Sequence, residues 1–111
     1  MGKIYHITTA RAWAEAEANP PYCGDTLAAE GFIHCSTREQ VLKTAERYFP
    51  GRSGLVLLEI NPDRVECPIR YEGLPGRDQF PHIYGPLNLE AVEVAFAFAA
   101  CPDGKFEFPV H

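Results

Sequence analysis

The sequence predicts an α+β domain built on a curved or split antiparallel sheet, with few long helices. Three observations predict it. Leu55–Ile60 is a nearly continuous apolar run, the pattern of a central strand. Short segments rich in β-formers recur at Lys3–Ile7, Gly31–Ser36, Ile69–Glu72 and Glu93–Ala99, mixed irregularly with short helical patterns. No Gly-x-Gly-x-x-Gly or Walker pattern points to a regular βαβ fold. The 111 residues suit a single domain over 1–111, and 46 % hydrophobic with 23 % charged residues is the balance of a soluble globule. A chain this long buries roughly 65 % of its extended surface, enough for a core without disulfide staples.

The elements follow in order. Lys3–Ile7 alternates and reads as a strand, after which Thr8 or Thr9 caps a helix over Ala10–Ala18. The helix is rich in Ala and Glu, and Asn19-Pro20-Pro21 stops it. Tyr22–Asp25 is loop, and Thr26–Glu30 forms a helical turn ended by Gly31. Gly31–Ser36 is the second strand. Ser36 with Glu39, or Thr37 with Gln40 one residue later, has the spacing of a capping box. The helix behind it places Val41, Leu42, Ala45, Tyr48 and Phe49 on one core-facing stripe, and Pro50-Gly51 ends it. After the central strand, Asn61-Pro62-Asp63 starts a turn. Gly73–Pro81 is a long loop for so small a domain, and such loops often carry function. His82–Leu87 reads as a strand stub and turn, and Asn88–Ala91 as a cap and one helical turn. Lys105–Phe108 pairs as a hairpin with Glu93–Ala99 across Pro102-Asp103-Gly104.

The charge excludes one class of function. With 15 acids against 10 bases the net charge is −5, unsuited to sequence-independent binding of duplex nucleic acid. It says nothing against a local basic pocket for a phosphate. No charged segment followed by an apolar stretch opens the chain, so no secretory signal is expected. The longest weakly polar run, Val92–Cys101, is too short to span a bilayer. Cys23, Cys35, Cys67 and Cys101 form no Cys-x-x-Cys pair and read as reduced thiols of a cytoplasmic protein.

Three histidines sit in similar settings. His6, His34 and His82 are each flanked by apolar residues, and each is followed two positions later by a hydroxyl: Thr8, Ser36 and Tyr84. The two-residue period of a strand puts each pair on one face. A lone histidine among apolar residues is ordinarily structural, with its nitrogens satisfied. Three such pairs in one small core would be costly to bury unless each were partnered, which points to a shared cleft. Tyr5, Ile7, Ile33 and Cys35 then face the core. His111, the last residue, reads as frayed.

An arginine beside these histidines would suit a phosphate or carboxylate, because its fork makes bidentate, charge-assisted bonds. Arg52, before the central strand, and Arg70, in a strand beside Glu72, are the candidates, with Arg77 in the long loop and Arg38 near the second strand also open; the spacing does not choose among them. Each could equally be a surface ion pair. Glu72 is the carboxylate of first interest, and Asp25, Glu30 and Asp78 are alternatives.

The motifs resemble a known family. Ile4–Thr8, Gly31–Ser36, Leu55–Ile60 and Phe80–Leu87, in that order and spacing, look like the small bacterial domain-of-unknown-function family numbered 952, from Lys3 to about Val94. Tyr5-His6-Ile7-Thr8 is also similar to the Tyr-His-Gly-Thr strand that opens the NAD-binding cleft of ADP-ribosyltransferases. Ile33–Ser36 resembles the second-strand neighbourhood of the RNA 2′-phosphotransferases of that superfamily. This resemblance implies an ADP-ribosyltransferase-like split β-sandwich with short helices, binding NAD or a related nucleotide in the gap and transferring ADP-ribose with release of nicotinamide. It implies that His6 hydrogen-bonds a ribose with Thr8 in support, that Ser36, Arg52, Arg70 and Tyr84 complete the cofactor site, and that His34, His82 and Glu72 are catalytic. Isoleucine at position 7 replaces the usual glycine. His82 stands where many transferases use a glutamate, so Glu72 would supply the charge.

Two other functions fit the residues. The three histidines could form a metal site with hydrolase-like activity, although none of their spacings is a familiar ligand pair. The Gly73–Pro81 loop, with Tyr71 and Phe80 as aromatic anchors, could serve a non-catalytic interaction module.

Overall fold

The apolar run at the middle of the chain becomes the middle of the architecture. In the computed structural model, which describes residues 2–109, β4 (Leu55–Ile60) has four of its six residues 2 % exposed or less. β1 (Ile4–Thr9) lies antiparallel on one side of it over the strand's whole length, and β7 (Val92–Phe98) lies on the other. The short β3 (Ser36–Thr37) completes a sheet of order β3-β1-β4-β7. A second antiparallel sheet has the order β2-β6-β5, from β2 (Ile33–His34), β6 (Phe80–Ile83) and β5 (Ile69–Glu72).

Alternation along β1 and β4 gives the large sheet two apolar faces and therefore two cores. One gathers Ile4, Val56, Leu58 and Ile60 with Trp13, Tyr22, Ile33, Ile83 and Leu87, so the small sheet and α1 (Ala10–Ala18) pack on this side. The other gathers Tyr5, Ile7, Leu55 and Leu57 with Val41 and Ala45 of α3 (Arg38–Tyr48) and with Phe98 and Phe106. Tyr5, Ile7, Ile33 and Cys35 are all buried, as their strand faces require.

Helix boundaries follow side-chain chemistry. Thr9 caps α1 by accepting the Ala12 N–H at 3.0 Å. Thr9→Ala should lower stability by about 1 kcal/mol, the usual value of such a cap, read by urea denaturation. Thr37 and Gln40 form the capping box of α3. Gly31, at φ 88, stops α2 (Thr26–Glu30) in a conformation that side chains other than glycine disfavour.

Three expectations change. Gly31–Ser36 is two strands, because Cys35 carries the chain from one sheet to the other: His34 pairs with His82, and two residues on Ser36 pairs with Tyr5. Tyr48, the last residue of α3, leaves the core stripe and is 65 % exposed, while Phe49 after it still packs on the core. Lys105–Phe108 forms no strand. Its turn closes, with the Cys101 N–H on the Lys105 carbonyl at 2.7 Å, but Phe106 then packs flat on Phe98 instead of extending a ladder. His111 lies outside the described residues.

Candidate functional site

The step at Cys35 opens the site. β3 pairs with β1 only at Ile4 and Tyr5, and the preceding residues have already joined the small sheet through the Cys35 N–H on the Pro81 carbonyl. From His6 onward the edge of β1 therefore faces a cleft of about 570 Å³ between the parting sheets. That volume is in the range of small-molecule sites. His6, Thr8, His34, Ser36, Arg52 and His82 all line it, together with Tyr22, Glu30, Tyr48 and Phe49 among others.

His6 is held from both ends. Its Nδ1 lies 2.5 Å from the His34 carbonyl and its Nε2 2.7 Å from the Tyr22 hydroxyl. A carbonyl only accepts, so Nδ1 carries a proton. Burial pushes the imidazole pKa down to about 4, so the ring is neutral at neutral pH and Nε2 presents a lone pair to the Tyr22 O–H. The Thr8 hydroxyl, 3.0 Å from that of Tyr22, closes the chain of bonds. Desolvation moves the Tyr22 phenol up to about 12, so it stays protonated. Both His6 nitrogens are thus engaged by the protein, and a ribose would have to displace one of these bonds. The ring joins the large sheet to the backbone of β2 and to the loop that carries Tyr22.

Tyr22 was not legible as a site residue. It follows Asn19-Pro20-Pro21 in a segment with no periodicity, yet its backbone exchanges two hydrogen bonds with Leu87, at 3.0 and 2.8 Å. Its ring packs against Trp13 and His6. An aromatic fixed in a proline-rich loop was the available signal.

The small sheet presents the second group. Register sets His34 beside His82, and His82 beside Arg70. The two imidazoles meet edge to face at 5.0 Å, and Phe32 stacks on His82 at 4.3 Å. Each histidine has its own carboxylate. The Nε2 of His34 lies 2.9 Å from Glu30, four residues back at the end of α2, and the Nδ1 of His82 lies 2.9 Å from Glu72. Tyr84 donates to the same Glu72 oxygen at 2.5 Å. The Tyr84 and His82 bonds hold the Glu72 carboxyl below the ordinary carboxylate range, while the bond to Glu72 raises the Tyr84 phenol. Glu72, Tyr84 and Arg70 are not cleft-lining residues: Glu72 holds His82 from the neighbouring β5, Tyr84 holds Glu72 from just beyond the end of β6, and the Arg70 guanidinium stands over the Tyr84 ring at 5.2 Å.

Ser36 lines the cleft from the other side. Its register with Tyr5 turns its side chain to the α3 face of the large sheet, where its hydroxyl donates to Thr44 at 3.2 Å. The three histidine–hydroxyl pairs therefore do not share one face, because Cys35 changes the sheet between the second histidine and its hydroxyl. Arg52 is the one lysine or arginine among the described residues lining the cleft, and it sits beside the Phe49 ring at 5.5 Å. It makes no ion pair with the described carboxylates. Phe80 also lines the cleft, whereas Tyr71 on β5 and Leu74 in the loop that follows are exposed.

No group of three or more His, Cys, Asp or Glu among the described residues is arranged to hold a metal ion. The imidazoles of His6 and His34 turn nitrogens to different protein partners instead of converging. All four cysteines are free thiols. No helix among the described residues is long and apolar enough to cross a membrane.

The architecture is that of a mixed α+β protein with two antiparallel sheets and a cleft between them. The chain belongs to the family described as "Protein of unknown function (DUF952)", whose model matches residues 7–95. Protein CC0527 from Caulobacter crescentus is similar throughout: its crystal structure is 32 % identical, with a TM-score of 0.86 over 95 % of this chain and 93 % of that one. The solution NMR structure of CC0527 is also 32 % identical, with a TM-score of 0.83 over 96 % of this chain and 93 % of that one. No curated protein matches the sequence.

Proposed function

We propose that the cleft binds NAD or a related nucleotide, the ligand implied by the resemblance of its first two motifs to ADP-ribosyltransferases. The observation that carries the reading is the β1 edge, which opens from His6 onward into a cleft where two antiparallel sheets part. The charge along that cleft supports it. Arg52 gives the cleft a cation free to take a pyrophosphate, beside the Phe49 ring, and Tyr48, which also lines the cleft, offers a second ring for a base. Asp25 and Glu30 line the same cleft and suit the positively charged nicotinamide ring. His34, at the mouth of the same cleft, is the group for a ribose hydroxyl. His6 is a positioning residue, holding Tyr22 and β2.

The test is a thermal-shift titration with NAD and with ADP-ribose at millimolar concentration, repeated on Arg52→Ala. Both ligands should raise the Tm of the wild type, because a ligand bound only to the folded state stabilises it. Arg52→Ala should weaken ADP-ribose by roughly tenfold or more, the value of a charge-assisted phosphate contact, with little change in the unliganded Tm. No shift with either nucleotide would overturn the reading.

A further inference from the structure

The pairing of Glu72 with His82 leaves one nitrogen without a task. Glu72 Oε1 accepts from His82 Nδ1 at 2.9 Å and from the Tyr84 hydroxyl at 2.5 Å, so the carboxylate is held by two donors. Phe32, stacked at 17° to the imidazole, limits its rotation. With the proton fixed on Nδ1, the neutral ring offers Nε2 as a lone pair. Nε2 makes no hydrogen bond with the described residues. Among those residues no buried side-chain nitrogen or oxygen lacks a partner, so Nε2 is reached by solvent even though the side chain is 13 % exposed. The opening available to it is the cleft that His82 lines.

We propose that His82 is a general base for a hydroxyl nucleophile, water or an alcohol, with Glu72 as its positioning residue. The proposal rests on the nucleotide reading of the cleft. An orienting carboxylate on one imidazole nitrogen and a free lone pair on the other is the arrangement that removes a proton from an attacking hydroxyl. In the step, Nε2 takes the hydroxyl proton and the oxygen bonds to the ribose carbon that carries nicotinamide. The carbon–nitrogen bond breaks, and nicotinamide leaves with its electron pair. The proton rests on His82, where the Glu72 carboxylate stabilises the imidazolium, and then passes to solvent. NAD and water become ADP-ribose, nicotinamide and one proton. His34 suits this role less: its Nε2 is taken by Glu30, and its side chain is 50 % exposed.

Four neighbours set the charge around the His82 ring: Glu72 and Arg70 on β5, His34 on β2 and Tyr84 just beyond β6. Removing the Glu72 charge leaves Arg70 unopposed and destabilises the imidazolium, which moves the acid limb of activity to lower pH.

The experiment follows nicotinamide release from NAD by the wild type, His82→Gln and Glu72→Gln between about pH 5 and pH 9, where histidine titrates. ADP-ribose affinity and Tm are measured on the same preparations. His82→Gln should lower kcat by roughly 100-fold or more, the usual value of a general base, with ADP-ribose affinity within about threefold of wild type. Glu72→Gln should lower kcat by about tenfold and shift the acid limb downward, a change that a merely structural role would not produce. Added methanol should divert part of the product to the methyl glycoside. Nucleotide binding without nicotinamide release, or release undiminished in His82→Gln, overturns the base and leaves the nucleotide reading standing. Absence of nucleotide binding overturns both.

Discussion

Replacing His6 with alanine is expected to lower stability at neutral pH by about 2–3 kcal/mol and to abolish the nucleotide-dependent rise in Tm. The variant leaves the His34 carbonyl and the Tyr22 hydroxyl without their shared partner, and each lost bond near the core is worth about 1 kcal/mol or more. It also removes the side-chain tie from β1 to the backbone of β2 and leaves the Tyr22 hydroxyl its bond to Thr8, so the cleft loses the definition of one wall. The pH dependence separates this effect from a simple loss of packing. His6 has an ordinary pKa of 6.5 in the unfolded chain and about 4 in the folded protein. Between those values the unfolded chain binds a proton that the folded protein refuses, so wild-type stability falls as pH drops through the window. The contribution is fully present above pH 6.5 and has gone by about pH 4. Its size is about 3 kcal/mol. Urea denaturation across this range should therefore show the stabilities of wild type and His6→Ala converging towards acid pH. Parallel curves would mean that the folded protein does not hold His6 neutral.

Leu57→Ala should cost about 3 kcal/mol and lower Tm by roughly 10–15 °C, without changing the dependence of stability on urea concentration. Leu57 is fully buried at the centre of β4, in register with Ile7 on one side and Phe96 on the other. It belongs to the core in which Val41 and Ala45 of α3 meet the large sheet. The neighbouring backbone is held by ladders on both sides, so the void cannot close by a strand shift, and the cavity adds to the lost transfer energy. A loss below about 1 kcal/mol in urea denaturation would show that α3 settles into the space and that the face is loosely packed.

Much of the scaffold was legible because it rests on short-range physics. The apolar run of Leu55–Ile60 marked a strand with neighbours on both sides, and its burial bears that out. The Thr9 cap, the Thr37–Gln40 box and the Gly31 stop are each decided within four residues. The faces of β1 followed from its period. The failures share a cause. In both places a periodic pattern continues where the packing does not follow it: Tyr48 extends the helical stripe yet stays exposed, and Phe106 and Phe108 alternate like a strand while packing by ring contacts, Phe106 on Phe98 and Phe108 on Tyr5 and Phe96.

The candidate site divides along the same line. The order of residues singles out candidates: His6, His34 and His82, each with a hydroxyl two positions on, Glu72 as the first carboxylate, and Arg52 and Arg70 with no choice between them. Their partners and positions come from the tertiary fold. It spends both nitrogens of His6 on Tyr22 and the backbone of β2, turns Ser36 to the opposite face, and gives each of the other two histidines its own carboxylate. It also puts Arg52 on the cleft and Arg70 over Tyr84. Strand periodicity dictates which side chains share a face within one strand, but not which sheet the strand joins. One residue, Cys35, moves the chain between sheets, and the partners that receive it come from segments far along the sequence.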